Sequence, residues 1–174
     1  MTPEQAVETA EALTRAWNAR DLSTFMEHLT EDVEWDDPAM PTPAKGREAV
    51  RSFSQAVLEA FPDFHYVVRP PICVAADGSR CAVPWAITAT HLHPLRPPGF
   101  APTGRQVAFD GIDLFEFRGA QVARIATYFN VLVPAEQLLR LRLRPQPGSF
   151  RERALVLAQR VWAAWLRRRH VSAV

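Results

Sequence analysis

The chain has 174 residues, of which 48% are apolar and 22% are charged, and its formal net charge at pH 7 is +1. This balance is typical of one globular domain, and it gives neither the overall basic field of a nucleic-acid-binding protein nor the charge excess of a disordered chain. No apolar stretch approaches the roughly 18 residues that span a bilayer, and the first residues lack a basic segment followed by an apolar one, so we expect a cytoplasmic protein.

The first third of the chain is predicted to form three helices and one short strand. Residues 2–5, Thr-Pro-Glu-Gln, form a capping box with proline at the first helical position, which predicts a helix to about Asn18. Asp21 is the predicted N-cap of a short second helix. Residues 32–38 then fit a short strand that ends at a proline, and a third helix is predicted after Gly46.

From Pro62 onward the apolar residues alternate with a period of two, which predicts long strands over residues 64–75, 79–93, 105–117 and 121–133. A hairpin turn at residues 77–78 places Cys73 and Cys81 on different faces, so no disulfide is expected, and two thiols alone make no zinc site. Helices followed by a strand meander indicate an α+β fold, with the helices packed on one face of a curved antiparallel sheet.

The end of the chain is predicted to form an appendage to this domain. A short closing helix is expected over residues 136–143. A second capping box at residues 149–152 then begins a helix that continues to about Arg169. We therefore divide the chain into a domain of residues 1–143 and an appendage of residues 144–174.

The appendage is strongly basic. From Arg140 onward nine arginines stand against one acidic residue, Glu152, which gives this tail a net charge of +8 and the preceding residues −7. With Trp162 and Trp165 on its apolar side, the helix suits an anionic membrane surface, a partner protein or the acidic domain itself. We favour packing against its own domain, because the apolar stripe needs cover.

Two carboxylates lie in otherwise apolar rows of the predicted strands. Alternation places Asp37 with Val33 and Trp35 on one side of the first strand, and it places Asp113 in an apolar row of the third long strand. Removal from water raises the pKa of a carboxyl toward the range used for proton transfer at neutral pH. Two such groups facing one pocket can divide the roles of acid and base; alternatively, each is a structural carboxylate bonded to backbone amides or arginine.

Other inward-facing side chains complete the predicted pocket. His91 shares a face with Trp85, where it is a structural histidine bonded to a carbonyl, or else a general acid or a hydrogen-bonding contact for a substrate. Thr127 is the polar residue on the apolar face of the last strand, whereas Tyr128 and Asn130 fall on its other face. The remaining candidates are apolar or aromatic: Leu13, Trp17, Trp35, Phe109 and Phe129.

These residues resemble two groups within one superfamily. Residues 18–38, with an Asp-Pro pair at their end, resemble the N-terminal half of ketosteroid isomerases, in which the aspartate matched by Asp37 is the catalytic base. Three segments are similar to SnoaL-like polyketide cyclases: residues 90–91, 102–105 and 111–117. The resemblance covers about residues 3–143, and it implies a cone-shaped α+β fold and a homodimer formed through the outer face of the sheet.

The matching positions also depart from both patterns. In the isomerases the oxyanion hole pairs an aspartate, matched by Asp113, with a tyrosine of the first helix, but the tyrosine position holds Leu13. In the aldol-type cyclases the proton-abstracting aspartate lies on the last strand, at the position of Thr127. Neither mechanism therefore transfers intact, and Asp37 with Asp113 remains as the predicted acid–base pair.

The sequence thus predicts a cyclase or isomerase that uses acid–base catalysis, without cofactor or metal, on a hydrophobic polyketide-like substrate. Asp37, Asp113 and His91 are its predicted catalytic residues, with the two aspartates as the acid–base pair and His91 as a polar contact to the substrate. An epoxide hydrolase with the same pocket and a non-catalytic small-molecule binder are the alternatives. A homodimer is consistent with apolar Ile112 and Leu114 on the outer sheet face.

Overall fold

A computed structural model describes residues 1–96, 99–142 and 144–171, with side chains up to Arg167. Two compact units divide the chain, Met1–Arg140 and Leu141–Val174. Leu143 and residues 172–174, which bound the predicted domain and appendage, lie outside the described residues. Within the described ranges, none of the helices combines the length and the apolar character that crossing a membrane requires.

Three helices belong to the first part of the chain: α1 (Pro3–Asn18), α2 (Leu22–Glu27) and α3 (Gly46–Ala60). The Thr2 hydroxyl accepts a hydrogen bond from the Gln5 N–H at 3.2 Å, and the Gln5 side chain accepts one from the Thr2 N–H at 2.8 Å. The Asp21 carboxylate accepts a hydrogen bond from the Thr24 N–H at 3.0 Å at the start of α2. Both predicted helix caps are therefore confirmed.

Seven strands form one mixed sheet in the order β2–β1–β7–β6–β5–β3, with β4 also paired to β5. Their bounds are β1 (Leu29–Asp36), β2 (Ala44–Lys45), β3 (His65–Val68), β4 (Cys73–Val74), β5 (Arg80–Thr90), β6 (Gln106–Arg118) and β7 (Gln121–Phe129). The α+β fold is confirmed, but β1 and β7 run parallel, which the antiparallel prediction did not include. A hairpin makes two consecutive strands run antiparallel. Helix α3 lies between β1 and the later strands, so no tight turn sets the direction of β1 relative to β7.

Two predicted segments have different bounds in the structure, and a proline stands in each of them. The expected strand over residues 64–75 divides into β3 and β4, since Pro70 and Pro71 have no N–H to donate to a neighbouring strand. The predicted closing helix begins four residues earlier, as α4 (Leu132–Leu139). Pro134 stands in the first turn of α4, where a helix needs no N–H from it, so it does not block this start.

The predicted hairpin between β4 and β5 is confirmed in its register. Cys73 pairs with Ala82 and Val74 pairs with Cys81, so the two thiols are on different faces, and both are free. Cys73 is exposed and Cys81 is buried on the inner face of the sheet.

The core lies between the N-terminal helices and the inner face of the sheet. Leu13 and Trp17 of α1 pack with Trp35 of β1 in the larger of two hydrophobic clusters. The second cluster contains Ala60, Phe61, Trp85, Ile87, Ala89 and Val107. Each large side chain buried in this way stabilises the fold by roughly 1.5–3 kcal/mol.

One glycine of β6 makes room for the largest residue of the second cluster. Gly111 is the register partner of Trp85, and the indole occupies the space beside it. A Cβ atom at position 111 would lie 2.5 Å from the Tyr128 carbonyl oxygen and 2.6 Å from Trp85 Cη2. The absence of a side chain at Gly111 is therefore what allows Trp85 to pack against the sheet.

The second unit contains α5 (Phe150–Val171), which continues slightly beyond the predicted end. The Ser149 hydroxyl accepts a hydrogen bond from the Glu152 N–H, and the Glu152 carboxylate accepts one from the Gly148 N–H at 2.6 Å. The predicted serine cap is thus present, with the carboxylate bonded one residue further back than expected. Packing of α5 against the domain stays a prediction.

Candidate active site

One row of inward-facing residues crosses three neighbouring strands. Asp113 on β6 is in register with Thr127 on β7, and the pairing of Asp36 with Ala126 places Asp37 beside Thr127 at the end of β1. Adjacent strands lie about 4.8 Å apart, so the backbones of the two aspartates are roughly 10 Å apart. The row brings the two predicted carboxyl groups to one region of the inner face.

The Asp113 carboxyl group accepts hydrogen bonds from two hydroxyl groups. The Tyr66 hydroxyl donates to Asp113 Oδ2 at 2.9 Å, and Thr127 Oγ1 donates to Asp113 Oδ1 at 2.7 Å. The Trp35 indole N–H donates to Thr127 Oγ1 at 2.9 Å, which leaves the threonine proton to Asp113. Side chains from β1, β3 and β7 therefore fix the orientation of one carboxyl group on β6.

Burial has the largest effect on the pKa of Asp113. Asp113 is 7% exposed, and burial raises its pKa to about 6, although the hydrogen bonds from Thr127 and Tyr66 act in the opposite direction. Burial and the charge of Asp113 also raise the pKa of Tyr66, so its hydroxyl remains a proton donor to Asp113 at neutral pH. The nearby Cys81 thiol has its pKa raised to about 12 by burial and by Asp113, which makes it a poor nucleophile.

Asp37 is similarly placed but has fewer hydrogen bonds. It directly follows β1, precedes Pro38 and is 8% exposed. Burial raises its pKa to about 6, the Ala39 N–H bonded to Oδ1 at 2.7 Å opposes this rise, and the negative charge of Asp113 adds to it. Two carboxyl groups that titrate near pH 6 can both release and accept protons close to neutrality.

The predicted aromatic walls lie on both sides of the row. Trp17 packs edge-on against Trp35 with ring centroids 5.8 Å apart, and Leu13 belongs to the same cluster. On the other side, Trp85 lies between Tyr66, at a centroid distance of 5.7 Å, and two phenylalanines, Phe109 at 5.8 Å and Phe129 at 6.1 Å. The three tryptophans belong to the buried clusters on the inner face of the sheet, the face on which the row of Asp37, Thr127 and Asp113 lies.

His91 lies far from this row, contrary to the expectation that it reaches the same interior. Val83 is the β5 residue in register with Asp113, and His91 is eight residues further along, or roughly 25 Å of strand. Its ring stacks on Phe61 at 5.1 Å, and its Nδ1 is 3.4 Å from the Thr103 hydroxyl. Burial lowers the pKa of His91, which favours its neutral form. Alternation assigns a residue to a face but does not say how far along the strand it lies.

Tyr66 is the one member of this hydrogen-bond network that the sequence patterns did not single out. Phe64, Tyr66 and Val68 alternate at the start of the predicted strand, so the hydroxyl of Tyr66 belongs to an apolar row in the same way as the carboxyl of Asp113. The same alternation rule therefore contained the signal. What it lacked was the pairing of β3 with β5, which brings Tyr66 across to Asp113.

A hollow of about 530 Å³ lies where β1 and β7 end. Its lining includes Thr127 and the residues on both sides of Asp37, and the full set is Asp36, Pro38, Ala126, Thr127, Tyr128, Phe129 and Asn130. Of the row itself, Thr127 lines the hollow, and neither Asp37 nor Asp113 is part of its lining. Among the described residues, no group of three His, Cys, Asp or Glu side chains is arranged to hold a metal ion.

The family is decided by a match between this sequence and a model of the SnoaL-like domain over residues 10–125, which is more than half of the chain. The chain belongs to the SnoaL-like family. The predicted membership is thereby confirmed, and the row of Asp37, Thr127 and Asp113 lies on strands of the SnoaL-like fold. None of the curated proteins matches the sequence.

Solved structures share this fold along most of the SnoaL-like chain. A presumed polyketide cyclase from Pseudomonas putida KT2440 has a TM-score of 0.68 and 23% identity, covering 79% of this chain and 98% of its own. A presumed SnoaL-like polyketide cyclase from Jannaschia sp. CCS1 has a TM-score of 0.70 and 22% identity, covering 80% and 94%. AclR, a presumed hydroxylase from Streptomyces galilaeus, has a TM-score of 0.66 and 22% identity, covering 81% and 100%. At these identities the likeness shows the fold.

Proposed function

We propose that this SnoaL-like protein is a cofactor-independent acid–base cyclase or isomerase that acts on a hydrophobic, polyketide-like substrate. The observation that carries the proposal is the pair of buried carboxyl groups, Asp37 and Asp113, on one row with their pKa values raised to about 6. The family and the cyclase names of several structural neighbours support the same class of reaction. The aromatic walls favour an apolar substrate over a sugar or a phosphate ester.

The two carboxyl groups have different surroundings, and we assign them different roles. Asp37 has a single backbone donor at its carboxylate among the described residues, and its chain neighbours Asp36 and Pro38 line the hollow. We therefore assign it the role of the base that takes a proton from an acidic carbon or a hydroxyl group. Asp113, oriented by Tyr66 and Thr127, acts in its protonated form as the acid that activates a carbonyl or epoxide oxygen. Their titrations belong to the pair, so activity should peak near pH 6.

With these two roles, the protons and atoms of the reaction balance without any added reactant. Asp37 removes one proton as the nucleophilic carbon or oxygen of the substrate closes on its electrophilic carbon, and Asp113 gives one proton to the oxygen that gains charge. The product is an isomer of the substrate. Transfer of a proton from Asp37 back to Asp113, through water, restores the starting state.

The test compares Asp37→Asn and Asp113→Asn with the unchanged protein on a panel of polyketide-like ketones and hydroxy-epoxides, followed by chromatography and mass spectrometry. Isomeric products of unchanged mass should form with the unchanged protein and fall by at least about 100-fold in each variant. Asp110→Asn is the matched control, because Asp110 is an exposed aspartate on the opposite face of β6. It should keep full turnover.

Three other outcomes would contradict the proposal. Products that gain one water would identify an epoxide hydrolase that uses the same carboxyl groups to activate water. Tight binding of panel compounds without conversion by any form of the protein would identify a non-catalytic binder. Conversion that persists in both Asp37→Asn and Asp113→Asn would remove the acid–base pair from the mechanism.

We also propose that two copies of the chain associate through the outer face of the sheet. Ile112 and Leu114 on β6 and Tyr128 on β7 are 42%, 40% and 59% exposed on that face, and such adjacent apolar side chains favour a twofold contact. Sedimentation equilibrium should give a dimer that Leu114→Glu converts to a monomer. Leu139→Glu, at an exposed leucine of α4, is the control and should leave the dimer intact.

A further inference from the structure

Asn18, the last residue of α1, binds both backbone polar groups of one residue in β3. Its Nδ2 donates a hydrogen bond to the Tyr66 carbonyl oxygen at 2.8 Å, and its Oδ1 accepts one from the Tyr66 N–H at 2.9 Å. In an antiparallel pair, alternate residues direct these groups away from the neighbouring strand. Because β3 is the last described strand on its side of the sheet, the Asn18 amide takes the place of a further strand at Tyr66.

The same residue of β3 supplies a hydroxyl group that orients Asp113. The Tyr66 hydroxyl donates to Asp113 Oδ2 at 2.9 Å. β3 has four residues, His65–Val68, and the prolines at 70–71 have no N–H with which to extend its pairing. A strand this short makes few backbone hydrogen bonds with β5, so the two bonds from Asn18 add substantially to its attachment.

The end of α1, which carries the amide, is well packed. Trp17, the residue before Asn18, is 7% exposed, and its ring contacts three aromatic rings edge-on. They are Phe25, Trp35 and Phe64, at centroid distances of 5.5, 5.8 and 5.6 Å. A polar group at the end of a packed helix is held more precisely than one on a free loop.

We infer that Asn18 is a positioning residue for Asp113: its amide fixes the backbone of Tyr66, and thereby the hydroxyl group that donates to Asp113 Oδ2. The inference rests on the proposed role of Asp113 as the acid of the reaction. Both side-chain hydrogen bonds of Asn18 end at Tyr66, so its effect on Asp113 passes through the tyrosine. The hydroxyl donor favours the ionised carboxylate, so loss of the amide should raise the pKa of Asp113.

The test uses the two tyrosines of the chain, labelled with carbon-13 at the ring carbon that bears the hydroxyl group, and follows them by NMR as the pH changes. Tyr128→Phe assigns the two signals. The Tyr66 signal should shift as Asp113 titrates, with a midpoint near pH 6, because the Tyr66 hydroxyl donates to that carboxylate. Asp113→Asn should abolish this shift.

Asn18→Ala should raise the midpoint of the Tyr66 titration by at least about half a pH unit. Complete loss of a hydrogen bond to a charged group corresponds to about one to two pH units. Asn18→Gln keeps a neutral amide but displaces it by one methylene group, and it should raise the midpoint by less. The titrations are repeated with Asp37→Asn, because Asp37 titrates in the same range and interacts with Asp113, whereas burial keeps the nearby Cys81 thiol neutral there.

Gln137→Ala is the matched control. The Gln137 amide also binds both backbone groups of one strand residue, since it accepts from the Ala108 N–H at 2.8 Å and donates to the Ala108 carbonyl oxygen at 2.9 Å. Ala108 lies five residues from Asp113 on β6, or roughly 17 Å of strand. The midpoint in this variant should equal that of the unchanged protein.

Two results would overturn the inference. The first is an equal midpoint in folded Asn18→Ala and in the unchanged protein, and the second is an equal rise in Gln137→Ala. If Asn18→Ala does not fold, an unshifted midpoint in Asn18→Gln overturns the inference in its place.

Activity distinguishes this inference from the proposed reaction, because the titrations need no substrate. On a panel compound that the unchanged protein converts, Asn18→Ala should lower kcat about tenfold, leave KM within about twofold and move the pH optimum upward with the pKa of Asp113. Turnover with a titration that Asn18→Ala does not shift contradicts the positioning role alone. A shifted titration in a protein that converts no panel compound supports the positioning of Asp113 and contradicts the proposed reaction alone.

Discussion

Two buried titratable groups on the inner face of the sheet lie at opposite ends of the paired strands β5 and β6. Asp113 accepts hydrogen bonds from Tyr66 and Thr127, and a second carboxyl group, Asp37, stands on the same row. His91 is equally buried, but its ring nitrogen Nε2 has no hydrogen-bond partner among the described residues, and its ring rests on Phe61. Both are polar residues within apolar rows, and only one of them belongs to a network.

The difference shows how hydrogen-bond donors change the effect of burial on the pKa of a side chain. Burial favours the neutral form of both side chains, so it raises the pKa of Asp113 and lowers that of His91. At Asp113 the donors oppose this effect and leave a carboxyl group that still titrates near neutrality. The contributions of Asp113 and His91 to the stability of the fold should therefore change with pH in opposite directions. This expectation can be tested without knowing the substrate.

The largest effect is expected at the glycine that lies two residues from Asp113 on the same face. In Gly111→Ala the new Cβ would overlap the Trp85 ring and the Tyr128 carbonyl oxygen, and the backbone oxygen cannot move aside as a flexible side chain would. We expect a loss of at least about 3 kcal/mol in the free energy of unfolding, measured in urea. Gly119→Ala is the control for glycine replacement: a Cβ there meets no atom within 4 Å, so its loss reports only the strain of an alanine at a φ of 64°, about 1–2 kcal/mol. If Gly111→Ala loses no more stability than Gly119→Ala, the packing of Trp85 does not require a glycine at position 111.

The next effect is a pH dependence of stability that comes from Asp113. Its pKa rises from 3.8 to about 6 on folding, so the folded state binds more protons, and the associated stability is present below pH 4 and is lost as the pH rises through about 6. The rise corresponds to about 3 kcal/mol. The Asp113→Asn variant should therefore gain stability relative to the unchanged protein between pH 4 and pH 7, as measured by urea unfolding across that range.

Asp110→Asn separates burial from net charge in this comparison, since it removes a carboxylate from the solvent-facing side of the same strand. If Asp110→Asn and Asp113→Asn differ from the unchanged protein in the same way at every pH, burial of Asp113 is not the cause. Asp37→Asn should behave like Asp113→Asn, because burial raises the pKa of Asp37 to about 6 as well.

Most of the fold can be predicted from local patterns in the sequence. The Thr2 and Asp21 caps, the Cys73 register and the faces of the long strands are decided by residues close in sequence. The parallel pairing of β1 with β7 is not, because it joins segments about ninety residues apart and depends on how the whole meander closes. Pro70, which interrupts a predicted strand, and Pro134, which stands in the first turn of α4, are intermediate cases, because the effect of a proline depends on its position in the element.

The same distinction between local patterns and long-range strand pairing applies to the candidate site. Alternation identified Asp37, Asp113 and Thr127 as inward-facing; strand pairing places them on one row, and Thr127 donates a hydrogen bond to Asp113. It also placed His91 on the inner face, where it is buried, yet it gave no position along the strand. The partner of Asp113 from β3, Tyr66, depends on the order of strands in the sheet, which no local pattern states.

A smaller effect is expected when that partner is changed. Tyr66→Phe keeps the ring beside Trp85 but removes the hydroxyl that donates to Asp113 Oδ2. The loss should be about 1.5–3 kcal/mol at pH 7, where Asp113 is largely ionised, and smaller at pH 5, where it is largely protonated. Urea unfolding at the two pH values measures it, with Tyr128→Phe at an exposed tyrosine as the control. A loss that does not depend on pH would mean that the hydroxyl serves packing and not the carboxyl group.

The smallest effect is expected at the other end of the strands. In His91→Phe an apolar ring of similar size replaces a ring whose Nε2 has no hydrogen-bond partner among the described residues and whose Nδ1 makes one long contact, 3.4 Å, with the Thr103 hydroxyl. The free energy of unfolding should therefore change by less than about 1.5 kcal/mol at pH 7. Because burial lowers the pKa of His91 below 6.5, the folded state binds fewer protons at this position, and the unchanged protein loses the associated stability as the pH falls below 6.5. The variant should then gain stability relative to the unchanged protein toward pH 5, opposite in direction to Asp113→Asn. Parallel pH curves for His91→Phe and the unchanged protein would mean that His91 is as well solvated in the folded chain as in the unfolded one.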